Sequence, residues 1–186
     1  MSFEEALEVA PPKSPASTSA TLAPFMVASS ADPGVKMAQA FENVLQNLGF
    51  SVNFKPVNDS TMYTQFCERP SSNYNVCPSV QWFPDFPDAS TALDPTFNGE
   101  HIVSANNVNW PLLNDPKINA ALDKANTLRT PEQRATAYAA IDRQITATAA
   151  AIPWFWDKRA ILESSDVKGV VAKWNACWDL SFSSVR

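Results

Sequence analysis

The sequence has 186 residues, which is enough for one domain or one large lobe with a hydrophobic core of its own. Its formal net charge of -5 at pH 7 argues against a nucleic-acid partner, since neutralising phosphates requires a basic face. It contains no run of about 20 apolar residues, so we expect no membrane-spanning segment.

The N-terminal stretch differs in composition from the rest of the chain. Residues 1–21 are rich in Pro, Ser, Ala and Thr, which predicts a disordered tail or a truncated connection, with the folded region at residues 22–186. Glu4, Glu5 and Glu8 stand where a secretory signal would carry basic residues before a long apolar stretch. We therefore expect no export signal in this stretch.

The first folded elements are predicted to be a strand, a helix and a second strand. The apolar run at 22–28 has the length of a strand. Asp32 and Pro33 supply an N-cap and a first-turn proline for a helix that ends at Gly49. One face of this helix carries Met37, Phe41, Val44, Leu45 and Leu48. Residues 50–54 alternate between apolar and polar, which predicts a half-buried strand and completes a right-handed crossover unit of an α/β sheet.

The middle of the chain is predicted to alternate short elements with irregular segments. Residues 60–66 indicate a short helix, and residues 75–82 indicate a third strand. Residues 82–88 contain too many prolines for regular structure. Residues 89–97 predict another short helix, and Asp88 is placed to cap it.

Two longer helices follow, each with a clear start. Asp115 and Thr130, each followed by proline, are the predicted N-caps, and Gln133 completes a capping box with Thr130. Their apolar faces are Ile118, Leu122, Ala125 and Leu128 on the first helix and Tyr138, Ile141, Ile145 and Ala149 on the second. We expect a helical hairpin packed on a sheet. Short strands or extended segments are expected at 152–156, 167–171 and 180–182.

Two of the three cysteines flank a short polar turn. Cys67 and Cys77 are predicted to form a disulfide, which would suit an oxidising compartment. The alternative is a pair of unlinked thiols near a strand end. Cys177 is then left over, and we expect it to be buried. No metal site is expected, because His101 is the single histidine and no paired-ligand spacing is present.

Four motifs follow one another along the chain, and their order and spacing are specific as a set. They are Leu48-Gly49-Phe50 leading into Val52-Asn53-Phe54, then Trp82-Phe83-Pro84-Asp85-Phe86-Pro87-Asp88, then Asn106-Asn107 followed by Asn114-Asp115-Pro116-Lys117-Ile118, and last Arg134, Tyr138 and Asp142 before Ala151-Ile152-Pro153-Trp154. Together they resemble the C-terminal portion of the bacterial extracellular solute-binding proteins of family 5, the oligopeptide and dipeptide type. The resemblance covers residues 22–186.

The resemblance implies a fold and a role. The fold is an α/β lobe with a mixed sheet, crossover helices and a helical hairpin, which corresponds to the second lobe plus the C-terminal return segment of a two-lobed type II periplasmic binding protein. Most of the first lobe is expected to be missing. The role is capture of a peptide or other small solute between two lobes, outside the cytoplasmic membrane, for the permease subunits of an ABC importer. No cofactor is implied.

The resemblance also implies ligand contacts in the segment at 82–88. Asp85 matches the family position that pairs with the N-terminal ammonium of a peptide, because an enclosed ammonium needs a carboxylate. Trp82 would supply a flat apolar wall whose ring face attracts a cation, and Phe83 and Phe86 would extend that wall. Alternatively, Asp85 only caps a short helix and Trp82 lies in the core.

Two further candidates lie in the polar loop before the first long helix. Asn107 offers amide donors and acceptors to a ligand, as do its neighbours Asn106 and Asn109. The alternative is that these asparagines only form turns. Trp110 is either a pocket wall or an anchor for the loop, and the sequence does not separate these two roles.

Two other functions compete with solute binding. A hydrolase would use Asp85 and Asp88 as paired carboxylates, but no nucleophile motif such as Gly-x-Ser-x-Gly accompanies them, and His101 is alone in a loop. We therefore do not expect an enzyme. The other alternative is a truncated or repurposed fragment that serves as an interaction module without transporting anything.

Overall fold

The computed structural model describes residues 23–153, 162–172 and 178–185. The predicted tail at 1–21 and Cys177 lie outside these residues. The same is true of the predicted strand at 152–156 beyond Pro153.

The predicted strand, helix and strand unit is present. Strands β1 (Phe25–Ser29) and β2 (Asn53–Val57) pair in parallel, and helix α1 (Gly34–Asn47) connects them. The predicted position of the second strand, 50–54, was wrong by three residues. The backbone N–H of Phe50 donates to the carbonyl oxygen of Leu45, so Phe50 is part of the turn that ends the helix, and Gly49 has the positive φ of 93° that this turn requires.

The start of α1 differs from the prediction, because Asp32 does not cap the helix. Its carboxylate lies 2.8 Å from the Lys36 ammonium, one helical turn further on. The helix begins at Gly34, where an added Cβ would lie 2.8 Å from the Cβ of Ser29, so only glycine allows this close approach to β1. The predicted apolar face is only partly covered, since Val44 and Leu48 are exposed.

The third strand is reduced to a single bridge, so the predicted strand at 75–82 was wrong in extent. Val76 pairs with Met26, and the Val27 N–H donates to the Val76 carbonyl oxygen over 3.0 Å. Pairing stops where Pro78 lacks an N–H, and the segment from there to residue 84 is irregular.

The predicted short helix and the predicted disulfide are both present. Helix α2 (Asp59–Thr61) is capped by the Asn58 side chain and continues as a π-helical segment over Met62–Cys67. A disulfide joins Cys67 to Cys77, with a Cα–Cα distance of 6.2 Å. Cys67 is fully buried beside Val27 and Met62. The bridge therefore ties the end of the π-helical segment to the edge of the sheet.

The helical half of the molecule is close to the prediction. Helices α3 (Ser90–Phe97), α4 (Pro116–Asn126) and α5 (Pro131–Ala147) follow one another, and α4 and α5 form the hairpin. The hairpin core is made of Ile118, Leu122, Ala125, Tyr138, Ile141 and Ile145. Leu93 and Phe97 of α3 pack against this core, so the hairpin lies mainly on α3 and the prediction that it packs on a sheet was wrong. Asp115 and Thr130 cap their helices as predicted. Ala149 was wrongly placed in the core, because α5 ends before it and it is exposed.

Four two-residue strands end the described chain. Strands β3 (Val167–Lys168) and β6 (Ser184–Val185) pair antiparallel, as do β4 (Val171–Ala172) and β5 (Trp178–Asp179). The predicted strand at 180–182 is instead a turn closed by the Ser183 N–H and the Leu180 carbonyl. Within the described ranges, no helix combines the length and the apolar character that crossing a bilayer demands.

Candidate functional site

The four ligand candidates nearest the start of α3 share one exposed loop, residues 82–87, which we call the aromatic loop. Trp82, Phe83 and Phe86 expose 37%, 50% and 53% of their surface, and Asp85 between them is also exposed. Exposed apolar side chains that form one patch mark a candidate binding surface. The loop therefore exposes one carboxylate and three aromatic side chains within six residues.

Both ends of the aromatic loop are fastened to Thr91, a buried residue in the first turn of α3. The Trp82 indole Nε1–H donates to the Thr91 carbonyl oxygen over 2.7 Å. The Thr91 hydroxyl donates to the Asp88 carbonyl oxygen at 2.9 Å, with the Phe86 carbonyl oxygen at 3.3 Å. These contacts hold both ends of the loop, the first of them through the Trp82 side chain, while the side chains of Phe83, Asp85 and Phe86 stay exposed.

Asp88 has a structural role beyond the predicted cap. Its Oδ1 accepts the Ser90 N–H at 2.9 Å, which is the capping contact. It also forms a bidentate pair with Arg134, with Nε to Oδ2 at 2.6 Å and Nη2 to Oδ1 at 2.7 Å. The Arg134 guanidinium holds the pKa of the Asp88 carboxyl far below its usual range. Asp88 is therefore ionised at neutral pH.

Arg134 in turn is fixed to the end of α4. Its Nη1 donates to the carbonyl oxygens of Ala125 and Leu128, both at 3.2 Å, and its guanidinium lies 5.4 Å from the centre of the Tyr138 ring. The last carbonyls of a helix form the negative end of its dipole, which favours a cation. One side chain thus connects α5, the end of α4 and the start of α3.

Asn107 is not brought to the aromatic loop. It is fully buried, and its side chain donates to the Asn109 carbonyl oxygen at 2.7 Å and accepts from the Val103 N–H at 3.2 Å. Asn109 is also fully buried and bonds both the N–H and the carbonyl of Leu113. In the asparagine-rich loop, residues 103–113, these amides satisfy the backbone of the protein itself, which is the turn-forming alternative.

Trp110 lies in a different place from the aromatic loop. It lines a cleft of about 900 Å³ between the start of α1 and the end of α5. Its ring centre is 6.4 Å from that of Tyr63, and its indole Nε1 is buried without a hydrogen-bond partner among the described residues. Tyr74, whose pKa burial raises to about 12, donates its hydroxyl to the Trp110 carbonyl oxygen. The cleft lining includes Asp32, Asp59 and Asp142 and no Lys, Arg or His among the described residues.

The arrangement does not support the hydrolase alternative. Asp88 is held as a carboxylate by Arg134, so it is unsuited to act as a general acid beside Asp85. His101 is half exposed, and its Nε2 lies 3.2 Å from a carboxylate oxygen of Asp94. In the part of the chain that the structure describes, no group of three or more acidic, His or Cys side chains is placed to hold a metal ion.

Sequence reasoning identified the aromatic loop but missed what holds it. Thr91 and the pairing of Asp88 with Arg134 were not predicted, because the two charges lie 46 residues apart. One signal was available. Asp88 ends the second motif and Arg134 begins the fourth, and two opposite charges at the limits of motifs that belong to one set are candidates for a pair.

Comparison with known proteins finds relatives by structure but not by sequence. No protein-family model and no curated protein matches the sequence. The solved structure of clavulanic acid biosynthesis oligopeptide binding protein 2 matches with a TM-score of 0.79 at 21% identity, over 88% of this chain and 30% of that chain. The chain has the fold of part of a peptide-binding-protein lobe. This confirms the predicted fold class.

Two other structures support the same fold. The dipeptide binding protein of Pseudoalteromonas sp. SM9913, in complex with Met-Leu, matches with a TM-score of 0.66 at 17% identity, over 89% of this chain and 32% of that one. The substrate-binding domain of an oligopeptide ABC transporter of Bacillus anthracis str. Ames matches with a TM-score of 0.68 at 19% identity, over 88% and 31%. The chain thus spans about a third of the length of the proteins it resembles.

Proposed function

We propose that this chain is the C-terminal part of the substrate-binding component of an ABC-type importer for peptides or similar small solutes. The observation that carries the proposal is the fold, which matches three peptide-binding proteins over 88% or more of the chain. The aromatic loop supports it, because the exposed Asp85 stands where the sequence resemblance implies a contact with a peptide ammonium.

The chemistry of the aromatic loop fits an ammonium. Among the described residues Asp85 makes no ion pair, so its carboxylate is free to accept a cation. The exposed rings of Phe83 and Phe86 offer apolar surface to side chains next to that cation, and the Trp82 face also attracts it. A peptide N-terminus with an apolar first side chain combines both features.

In this proposal the aromatic loop contacts one side of the ligand, and a second lobe contacts the other side. In a two-lobed binding protein the ligand is enclosed when the lobes close about a hinge. This chain spans about 30% of the length of the similar structures. We therefore place the second ligand-contacting surface in the part of such a protein that has no counterpart here. A solute on one open face keeps most of its water, so we expect a dissociation constant in about the millimolar range for this chain alone.

The site of action that we propose is outside the cytoplasmic membrane, at the cell surface or in the periplasm. The Cys67–Cys77 disulfide supports this placement, because disulfides persist in oxidising compartments. The partners that we propose are the permease subunits of the importer and the segment that supplies the second ligand-contacting surface. The role is binding and not catalysis, in keeping with the substrate-binding proteins that share the fold.

The test is a titration of the purified chain with Met-Leu and with N-acetyl-Met-Leu, followed by nuclear magnetic resonance of the tryptophan indole N–H groups. Free dipeptide is expected to shift the Trp82 signal, and the acetylated dipeptide, which lacks the ammonium, is not. Asp85→Asn should abolish the response, whereas Asp166→Asn, which alters an exposed carboxylate near the C-terminus, should keep it.

The outcomes that contradict the proposal are specific. An equal response to both dipeptides would remove the ammonium contact. A response confined to the Trp110 indole would move the ligand from the aromatic loop to the cleft. Absence of any shift at concentrations well above about 1 mM would mean that this chain does not bind solute by itself.

A further inference from the structure

We propose that Arg134 is a positioning residue for the aromatic loop, acting through Asp88 and Thr91 without touching the ligand. The inference rests on the proposed function of that loop, and it assigns a role to a side chain on α5 that is separate from the exposed surface. Arg134 exposes 18% of its side chain and Asp88 exposes 22%, so the pair is largely shielded from water.

The geometry of the pair fixes an orientation as well as a distance. The guanidinium meets both oxygens of Asp88 in parallel, at 2.6 and 2.7 Å, which restricts the plane of the carboxylate. The Ala125 and Leu128 carbonyls hold the third nitrogen, so Arg134 cannot follow Asp88 if the loop moves. A lysine would keep the charge but lose this planar grip.

The position of Asp88 is passed on to the loop through short contacts. The Asp88 N–H donates to the Phe86 carbonyl oxygen at 2.7 Å, and the Asp88 carbonyl accepts from the Thr91 hydroxyl. Thr91 holds the other end of the loop through the Trp82 indole. Freeing Asp88 would therefore loosen both ends of the segment that carries Asp85.

Fixing the loop matters because binding otherwise has to order it. A carboxylate and ring faces that are already in place lose little conformational freedom when a ligand arrives, so more of the contact energy appears as affinity. Two prolines, Pro84 and Pro87, restrict the interior of the loop, but the direction of the loop depends on its ends. By holding Asp88, Arg134 fixes the orientation of the loop relative to the helices.

The experiment compares Arg134→Met, Arg134→Lys and Asp88→Asn with Arg143→Met, which removes an exposed arginine from the same helix. Asp88→Asn keeps a side-chain oxygen for the Ser90 N–H and so separates the charge pair from the cap. The readout is hydrogen exchange of the Trp82 indole, assigned with Trp82→Phe, and the Trp110 indole serves as an internal reference.

We expect Arg134→Met and Asp88→Asn to speed exchange of the Trp82 indole by about tenfold and to leave the Trp110 indole unchanged. Arg134→Lys should restore part of the protection, and Arg143→Met should behave as the parent chain. In the dipeptide titration, Arg134→Met should weaken binding by about tenfold, although the ligand-contacting residue Asp85 is not itself substituted.

The inference is overturned if the variants lower the melting temperature while the Trp82 indole stays as protected as in the parent chain, since Arg134 would then only stabilise the helices. Should Arg134→Met fail to fold, Asp88→Asn and Arg134→Lys decide the question. If the parent chain does not respond to dipeptide, the proposed function fails, and the exchange measurement still tests the positioning role.

Discussion

The aromatic loop and the asparagine-rich loop solve the same problem in opposite ways. Each is an irregular segment in which the backbone needs outside support. The asparagine-rich loop turns its own side chains inward, and the buried amides of Asn107 and Asn109 satisfy its backbone. The aromatic loop is held by its contacts with Thr91 and Asp88, one of which uses the Trp82 indole N–H, and this leaves Asp85 and the two phenylalanines exposed. A loop supported from outside keeps its side chains for a ligand.

Removing the disulfide should cause the largest loss of stability, and it should disturb the asparagine-rich loop and not the aromatic loop. The bridge closes a short loop, so replacing both Cys67 and Cys77 by alanine should lower the free energy of unfolding by about 3 kcal/mol. The Asn107 N–H donates to the Glu68 carbonyl, next to Cys67, so the Trp110 indole should shift and the Trp82 indole should not. Urea unfolding and indole spectra measure both effects. A shift at Trp82 would show that the two loops are coupled.

Asn109 provides the second test. Asn109→Ala leaves the N–H and the carbonyl oxygen of Leu113 without their side-chain partner and removes one of the two hydrogen bonds to the Asn98 carbonyl oxygen, which should cost about 2 kcal/mol of unfolding free energy. The control is Asn43→Ala, on the exposed face of α1, which should not lower stability because alanine is the better helix former. Denaturant titration compares the two variants. If Asn109→Ala were as harmless as the control, the buried amide would not be needed, and the contrast between the loops would fail.

Acid and base should act on different loops. The pKa of Asp88 is lowered by Arg134, so the stability that the pair contributes is present above the ordinary carboxyl value of 3.8 and is lost as pH falls below it. The pKa of Tyr74 is raised from 10.0 to about 12 by burial, so its contribution is present below pH 10.0 and is lost between there and about 12. Amides do not titrate in either window.

The measurement is the indole spectrum across both pH windows. Acid should perturb the Trp82 signal first, and Asp88→Asn should remove that response. Base should perturb the Trp110 signal, because the Tyr74 hydroxyl contacts the Trp110 carbonyl, and Tyr74→Phe should shift the onset while lowering stability by about 1 kcal/mol. A simultaneous change of both signals at either end of the range would indicate global unfolding instead.

The fold was largely readable from local patterns. Helix caps such as Asp115 and Thr130 act within one turn, so the sequence predicted the hairpin closely. The strands were less predictable, since the turn that follows α1 extends to Phe50 and the missing N–H of Pro78 stops the third strand. Strand pairing depends on partners distant in the sequence, and local periodicity does not report where the ladder stops.

The candidate site was predicted only where resemblance supplied it. The exposed residues of the aromatic loop were named, but their anchor was not, because a charge pair such as Asp88 and Arg134 is formed by tertiary packing. Asn107 shows that the sequence can also suggest a ligand contact that the fold does not allow. An asparagine in a loop offers the same amide to a ligand or to the backbone, and only its burial decides which one it contacts.

The smallest effect on stability should be the most informative about function. Asp85→Asn removes an exposed carboxylate that makes no ion pair among the described residues, so the free energy of unfolding should change by less than about 0.5 kcal/mol. The same variant should lose the response to free Met-Leu, because a neutral amide does not compensate an ammonium. Asn109→Ala should do the reverse, with a large loss of stability and an unchanged dipeptide response at temperatures where it remains folded. If Asp85→Asn instead destabilised the chain, the carboxylate would be serving the backbone in the way the buried asparagines do, and the loop would no longer be a surface kept for a ligand.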